Sequence, residues 1–328
     1  MRKVTLAILL LVALASCSKD EPEQLPGDDL VSPSLSAYVR NMEGARNPMT
    51  GILEIYPCEK GGAIYYGNYV NKQLTVFNGF YPIEEGHVYE GYNRKLSLPD
   101  GTYNMVYWGT PVYEDPMYSS PAIQTPGITL GADMSKLYMS LRKNAEDDTY
   151  SPVYDLVYAV EETDIGIEDL SASLRRVVAG VKVVVTTKDK GAFSPIIDKM
   201  EVCIGGIAEK LNYYTAIPEN MTKTVKFELV PSGDGTQMTN GTVMLFPSGE
   251  NPSLELRVTL KDGSVHMVSQ NISTTLTADT RLTLNIVIGD IFVGGESGDF
   301  TIEDWKEATE TIEFPFIYEF IRSILNIR

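Results

Sequence analysis

The chain has 328 residues, with 43% hydrophobic and 22% charged side chains and a net charge of −17 at neutral pH. Such a length suggests roughly two domains of ordinary size, with enough apolar content for each to bury a core. So acidic a surface repels nucleic acid and anionic lipid headgroups, which need Lys and Arg to neutralise them, and nucleic acid is excluded as a partner.

Arg2 and Lys3 give a positive start, and residues 4–15 (VTLAILLLVALA) form an apolar run of secretory-signal length. Leu14-Ala15-Ser16-Cys17 carries the small residues and cysteine of a bacterial lipobox, which it resembles. In such boxes the cysteine becomes the lipid-bearing mature N-terminus. The expectation is a signal peptide over 1–16 and a lipid anchor on Cys17, the alternative being an ordinary signal peptide with an incidental cysteine. No other segment has the ~20 apolar residues of a membrane-spanning helix, so attachment to a bilayer falls to lipid. Residues 17–33 are acidic and proline-bearing with almost nothing to bury, which predicts a disordered tether.

From residue 34 the chain reads as short strands between Gly, Pro and Asn/Asp turns. The fold class is all-β, with β-sandwich domains over 34–170 and 171–305 and few short helices. Leu96 and Leu98 precede a Pro99-Asp100-Gly101 turn, after which Tyr103, Met105 and Tyr107 share a face. Residues 136–147 read as one short helix, and Glu161–Ser173 as a connector without sustained period, placing the boundary near residue 170. Period two returns in Val177, Ala179, Val181, Val183 and Val185, and in Leu282, Leu284, Ile286 and Ile288. Leu254, Leu256, Val258 and Leu260 share a face; an Asp262-Gly263 hairpin turn then lets Val265 and Met267 resume it. Beyond Cys17 only Cys58 and Cys203 remain, read as small buried apolar residues rather than a bridge.

Groups for catalysis are few. There are two histidines, His87 and His266, the second on the polar face of its strand. No zinc spacing, phosphate-binding glycine loop, nucleophile elbow or calcium loop occurs. Glu161, Glu162, Asp164, Glu168 and Asp169 offer carboxylates for glycoside hydrolysis, but a solvated connector accounts for them more simply. The reading is of a protein that is not an enzyme, with no cofactor and no metal site. The 19 tyrosines, among them Tyr65, Tyr66, Tyr69, Tyr213 and Tyr214, could form sugar-stacking platforms, although sheet packing uses aromatics the same way.

At the C-terminus, 306–328 form an apolar tail in which Ile312, Phe314, Phe316, Tyr318 and Phe320 alternate onto one face. Such a strand is an aggregation hazard unless covered, so it either completes its own molecule or is donated to a neighbour's sheet edge. A rival stripe of Ile317, Phe320, Ile321, Ile324 and Leu325 fits a docked helix instead.

Several pieces together resemble the fimbrillins of Bacteroidales type V pili, in particular their lipoprotein anchor and accessory subunits. They are the lipobox LASC, LSLPDGTYNMVYWG (96–109), SLRRVVAGVKVVV (173–185), VMLFPSG (243–249) with LELRVTLKDG (254–263), and LTLNIVIGD (282–290) followed by FTIEDW (300–305). The SKDE after Cys17 also resembles the acidic tags of surface-exported Bacteroidota lipoproteins. The family resemblance implies two transthyretin-like sandwiches, outer-membrane lipidation, a place on the cell surface in or under an adhesive fimbrium, and assembly by strand complementation. It implies as partners other fimbrial subunits, the outer membrane through the lipid, and host or bacterial surface receptors. Stalk members lose an N-terminal strand to an arginine-specific protease, which makes Arg40 and Arg46 candidate processing positions; anchor members keep strand and lipid. The alternative function is a surface glycan-binding lipoprotein of a polysaccharide-uptake system.

Overall fold

Alternation of apolar and polar residues sets up strand after strand. The computed structural model describes residues 30–41, 44–76, 80–112 and 116–288, together with the backbone of 302–310. In chain order the strands are β1 (Leu30–Val31), β2 (Leu35–Arg40), β3 (Arg46–Pro48), β4 (Gly51–Glu59), β5 (Asn68–Val70), β6 (Gln73–Thr75), β7 (Tyr81–Glu84), β8 (His87–Val88), β9 (Leu98–Pro99) and β10 (Gly101–Pro111). They continue with β11 (Ile123–Gln124), β12 (Tyr138–Leu141), β13 (Val157–Ile165), β14 (Leu170–Arg176), β15 (Ala179–Thr187), β16 (Ile197–Asn212) and β17 (Pro218–Pro231). The last are β18 (Gln237–Thr239), β19 (Val243–Leu245), β20 (Ser253–Leu260), β21 (Val265–Asn271), β22 (Arg281–Ile288) and β23 (Ile302–Glu310). Among the described residues the only helix is one 3-10 turn, Met134–Lys136.

The first sheet runs β14-β13-β10-β4-β7-β8-β2-β3 and closes on itself, because β14 also pairs with β2. Its inner face contributes Leu53, Ile55, Tyr103, Met105, Tyr107, Ala172 and Leu174 to a core that Leu96 and Leu98 also enter, all buried. The second sheet has eleven strands, with β16 paired to β17, β12 and β20, and β15 set between β22 and the short β18 and β19. Ala179, Val181, Val183, Val185, Leu282, Leu284, Ile286 and Ile288 all point into its core, as their period of two requires. Cys58 and Cys203 are free and buried. Burial pushes their thiols up, to about 12 and about 11.

The two cores are not separate bodies. Tyr56, Val106, Trp108 and Tyr158 lie on the reverse face of the first sheet, yet they belong to the core of the second. The cause is the turn between β16 and β17. There the Asn212 side-chain oxygen accepts from the amides of Tyr214 and Thr215, both at 3.0 Å, and fixes the turn. The Trp108 indole donates to the Tyr213 carbonyl at 3.0 Å, and the Trp108 and Tyr213 rings stand 5.3 Å apart. The Tyr158 hydroxyl donates to the Tyr214 carbonyl, and Tyr213 packs edge-on to Tyr56 at 5.5 Å. Beside this aromatic joint lies a buried ion cluster. Arg176, at the end of β14, grips Asp155 through two bonds of 2.7 and 2.8 Å and reaches Asp279, just before β22, at 3.3 Å. Arg176 and Asp155 are 4% and 2% exposed, so the pair is desolvated and depends on its bidentate geometry.

Three expectations are corrected. Residues 136–147 are not a helix: after the 3-10 turn, Met139 and Leu141 alternate inward on β12, which pairs with β16, and β11 pairs with β12. Glu161–Ser173 is not a connector but parts of β13 and β14, and the chain passes from the first sheet to the second between Arg176 and Ala179. Val265 and Met267 do not resume the apolar face; they are 52% and 60% exposed, whereas Val268 packs on the core. The loop is the reason. A two-residue turn would pair Leu260 with Val265, but Thr259 pairs with Val265 across a three-residue loop, Lys261–Gly263, with Gly263 at φ +86°. One extra loop residue moves every side chain of β21 to the opposite face. His266 accordingly stands across from Val258 on the inner side, half-buried rather than fully solvated.

The ion cluster yields a stability test. Asp155→Ala should cost about 3–5 kcal/mol in urea unfolding, because a buried guanidinium loses its bidentate partner. Combining it with Arg176→Met should restore most of that loss.

Candidate functional site

Of the positions singled out in the sequence, Cys17 and the tail residues Ile312, Phe314, Phe316, Tyr318 and Phe320 lie outside the described residues. Arg40 and Arg46 are described, and the structure brings them together. They are register partners at the loop end of the hairpin formed by β2 and β3. The hairpin closes because Asn41 bonds Ala45 in both directions: its amide donates to the Ala45 carbonyl at 3.1 Å, and its side chain accepts from the Ala45 amide at 2.8 Å. Gly44 supplies φ +85° there.

β2 is the strand on which the site is built. Leu35, Ala37 and Val39 point toward the core, with Ala37 fully buried, while Ser36, Tyr38 and Arg40 face outward. On one side β2 pairs in parallel with β14, from Leu35↔Leu170 through Arg40↔Arg175. On the other it meets β8 at Ser36↔His87 and β3 from Tyr38↔Pro48. Side chains reinforce the parallel seam. The Ser36 hydroxyl donates to the Leu170 carbonyl at 3.3 Å, and Asp169 accepts the Ser34 amide at 2.9 Å. Arg40 donates to the Ser173 hydroxyl, and Arg46 to the Ser171 hydroxyl at 3.1 Å. The Arg46 guanidinium also sits 4.5 Å over the Tyr38 ring. Both arginines are exposed, but their surroundings differ. The residues leading into Arg40 are locked in a central strand, whereas Gly44 and Ala45, leading into Arg46, are exposed loop.

Of the carboxylates weighed for glycoside hydrolysis, Glu161, Glu168 and Asp169 accept backbone amides. Glu161 accepts the Ser173 amide at 3.0 Å, and Glu168 the Asp164 amide at 3.1 Å, where β13 and β14 have diverged. Among the described residues no group of three or more His, Cys, Asp or Glu could hold a metal ion. His87 is exposed on β8. Of the tyrosines considered as sugar platforms, Tyr65 and Tyr213 are 1% exposed and Tyr69 is 8% exposed; they pack the interior. The sequence reading missed the parallel seam. The alternation in LSAYVR was a signal for β2, but nothing local identifies β14 as its neighbour 130 or more positions away.

No curated protein sequence matches the chain. A solved structure of a candidate adhesin from Bacteroides ovatus superposes with a TM-score of 0.52 at 10% identity, covering 89% of this chain and 96% of that one. The fimbrial anchor protein Mfa2 from Porphyromonas gingivalis is similar at 12% identity over 83% of this chain and 96% of its own, with a TM-score of 0.46. A model of the family described as fimbrillin-A associated anchor proteins Mfa1 and Mfa2 matches residues 30–311. The chain belongs to that family of fimbrial anchor proteins.

Proposed function

We propose that this protein is a non-enzymatic anchor or accessory subunit of a cell-surface fimbrium, tethered to the outer membrane by lipid on Cys17. The observation that supports an anchoring role is β2. It follows closely on β1, which falls at the end of the segment read as a tether, is hydrogen-bonded on both sides, and places Leu35, Ala37 and Val39 toward the core. A lipid at Cys17 would thereby be joined, through one short chain segment, to a strand that the sheet holds from both flanks. An anchor needs that continuity, whereas a stalk subunit must surrender its first strand.

Contact with other subunits is assigned to strand complementation, with Ile312, Phe314, Phe316, Tyr318 and Phe320 of the tail as the donor face. In that arrangement backbone hydrogen bonds fix register and alternate side chains supply affinity. Host or bacterial surface receptors would then be met by the assembled fimbrium.

Three outcomes test this. Cys17→Ser should abolish incorporation of labelled palmitate and release the protein, and with it the fimbriae, from the cell; unchanged labelling removes lipid attachment at this residue. An arginine-specific protease should nick the folded chain first after Arg46, whose upstream residues are exposed. The fragment ending there should remain bound through β2 on native size exclusion, and prompt dissociation would contradict retention of the strand. Deleting residues 311–328 should leave the urea transition of the folded sheets unchanged while abolishing association with other fimbrial subunits. Normal association after that deletion would remove the tail as donor.

A further inference from the structure

In both halves of the molecule, an early strand lies beside a late one in parallel. β2 pairs with β14, the last strand of the first sheet, over six residue pairs from Leu35↔Leu170 to Arg40↔Arg175. β15, the strand that follows at once, pairs in parallel with β22 over eight, from Gly180↔Arg281 to Thr187↔Ile288. Parallel pairing is slightly less stable per residue than antiparallel pairing, and it demands that everything between the partners form the crossover. Neither seam is the cheapest way to close a sheet.

Tension distinguishes the two arrangements. A load entering from the N-terminal side first crosses β1, held to β9 by the two pairs Leu30↔Pro99 and Val31↔Leu98, and then arrives at Leu35, the start of β2. A load leaving toward the second sheet departs from Arg176, the end of β14. Because the strands are parallel, these points lie at opposite ends of the pair. The force then runs along the strands, and all the seam bonds bear it at once. In an antiparallel pair loaded at the same chain positions, entry and exit would share one end, and the bonds would open one at a time. The same geometry recurs where load enters β15 at Ala179 and leaves β22 at Ile288.

The side chains fit this reading. At the entry end Asp169 holds the Ser34 amide and Ser36 holds the Leu170 carbonyl. Farther along, Arg40 and Arg46 are bonded to Ser173 and Ser171 on the facing strand. At the exit end Arg176 is fixed by Asp155 and Asp279, so β14 is tied to the second half where the load leaves it.

We infer that the chain is a mechanical clamp: its parallel seam of β2 with β14 is placed in shear by tension between the N-terminal tether and the rest of the molecule, and the parallel seam of β15 with β22 repeats that geometry for a load that leaves through β22. The inference rests on the anchor reading for the source of the load; the clamp itself is a property of the isolated chain. Forced rupture reports the barrier to unfolding along the pulled direction, not equilibrium stability, so it can be read separately from folding.

The test is single-molecule force spectroscopy on the chain without its signal peptide and with Cys17→Ser. One handle is placed at Lys261→Cys, in the exposed β20–β21 loop; the native Cys58 and Cys203 are buried and out of reach. The other handle is placed either at Ser18→Cys, which loads β2 from its start, or at Ala45→Cys, which loads it from its end. Urea midpoints of the two variants establish that both are folded. Rupture forces severalfold higher through Ser18 than through Ala45 are expected. Equal forces, or a weaker response through Ser18, would overturn the clamp while leaving the anchor reading to the palmitate experiment.

Discussion

One short strand carries a large share of this structure's organisation. β2 occupies a slot that only an extended segment can fill: the β14 backbone on one side needs partners, and β8 and β3 on the other do as well. Buried backbone groups left without partners cost about 1–3 kcal/mol each, so an emptied slot would be a poor place for the molecule to rest. The slot is filled from within the chain, by residues that closely follow β1 near its N-terminal side. Seating this segment and closing the first sheet are therefore the same event. Ala37 and Val39 can enter the core only when the segment carrying the tether is in register with β14.

The second organising feature is the joint between the sheets. An ordinary tandem of sandwiches would move about a linker, as small polar interfaces allow. Here the turn between β16 and β17 drives Tyr213 against Trp108 and Tyr56, and Arg176 is held from both halves by Asp155 and Asp279. Tyr56, Val106, Trp108 and Tyr158, on the reverse face of the first sheet, are thereby buried. Glu54 shows the cost. It is half-buried beside this cluster, accepts from the Tyr56 hydroxyl at 2.5 Å, and burial raises its carboxyl above the usual range. A joint made this way suits the load path inferred above, which runs from one sheet to the next.

Much of this was legible in the sequence, and the failures share a cause. Strands whose apolar residues alternate over a long stretch, such as β10, β15, β20 and β22, lie with the expected residues inward because a half-buried sheet imposes period two. Met139 and Leu141 were misread because two apolar positions are too few to separate a strand from a turn of helix. Val265 and Met267 were placed on the wrong face because the loop has three residues rather than two, a difference that the Asp-Gly signal leaves open. Glu161–Ser173 carries many charges because its carboxylates cap backbone amides in the gap between β13 and β14. The partnership of β2 with β14 was invisible for a deeper reason. It is a long-range parallel contact, and neither strand's composition names its neighbour.

The proposed anchor reduces to one physical claim: β2 stays in the sheet, so that a lipid on Cys17 would remain joined to the folded body through a hydrogen-bonded strand. The most direct measurement is the mass of the N-terminal peptide of the protein recovered from intact outer membranes. The account predicts a lipid-modified peptide beginning at Cys17 and contiguous through β2 and both arginines. A mature chain that instead begins at Asn41 or Asn47 would contradict it, because β2 would then have been cut from the molecule that it is said to hold.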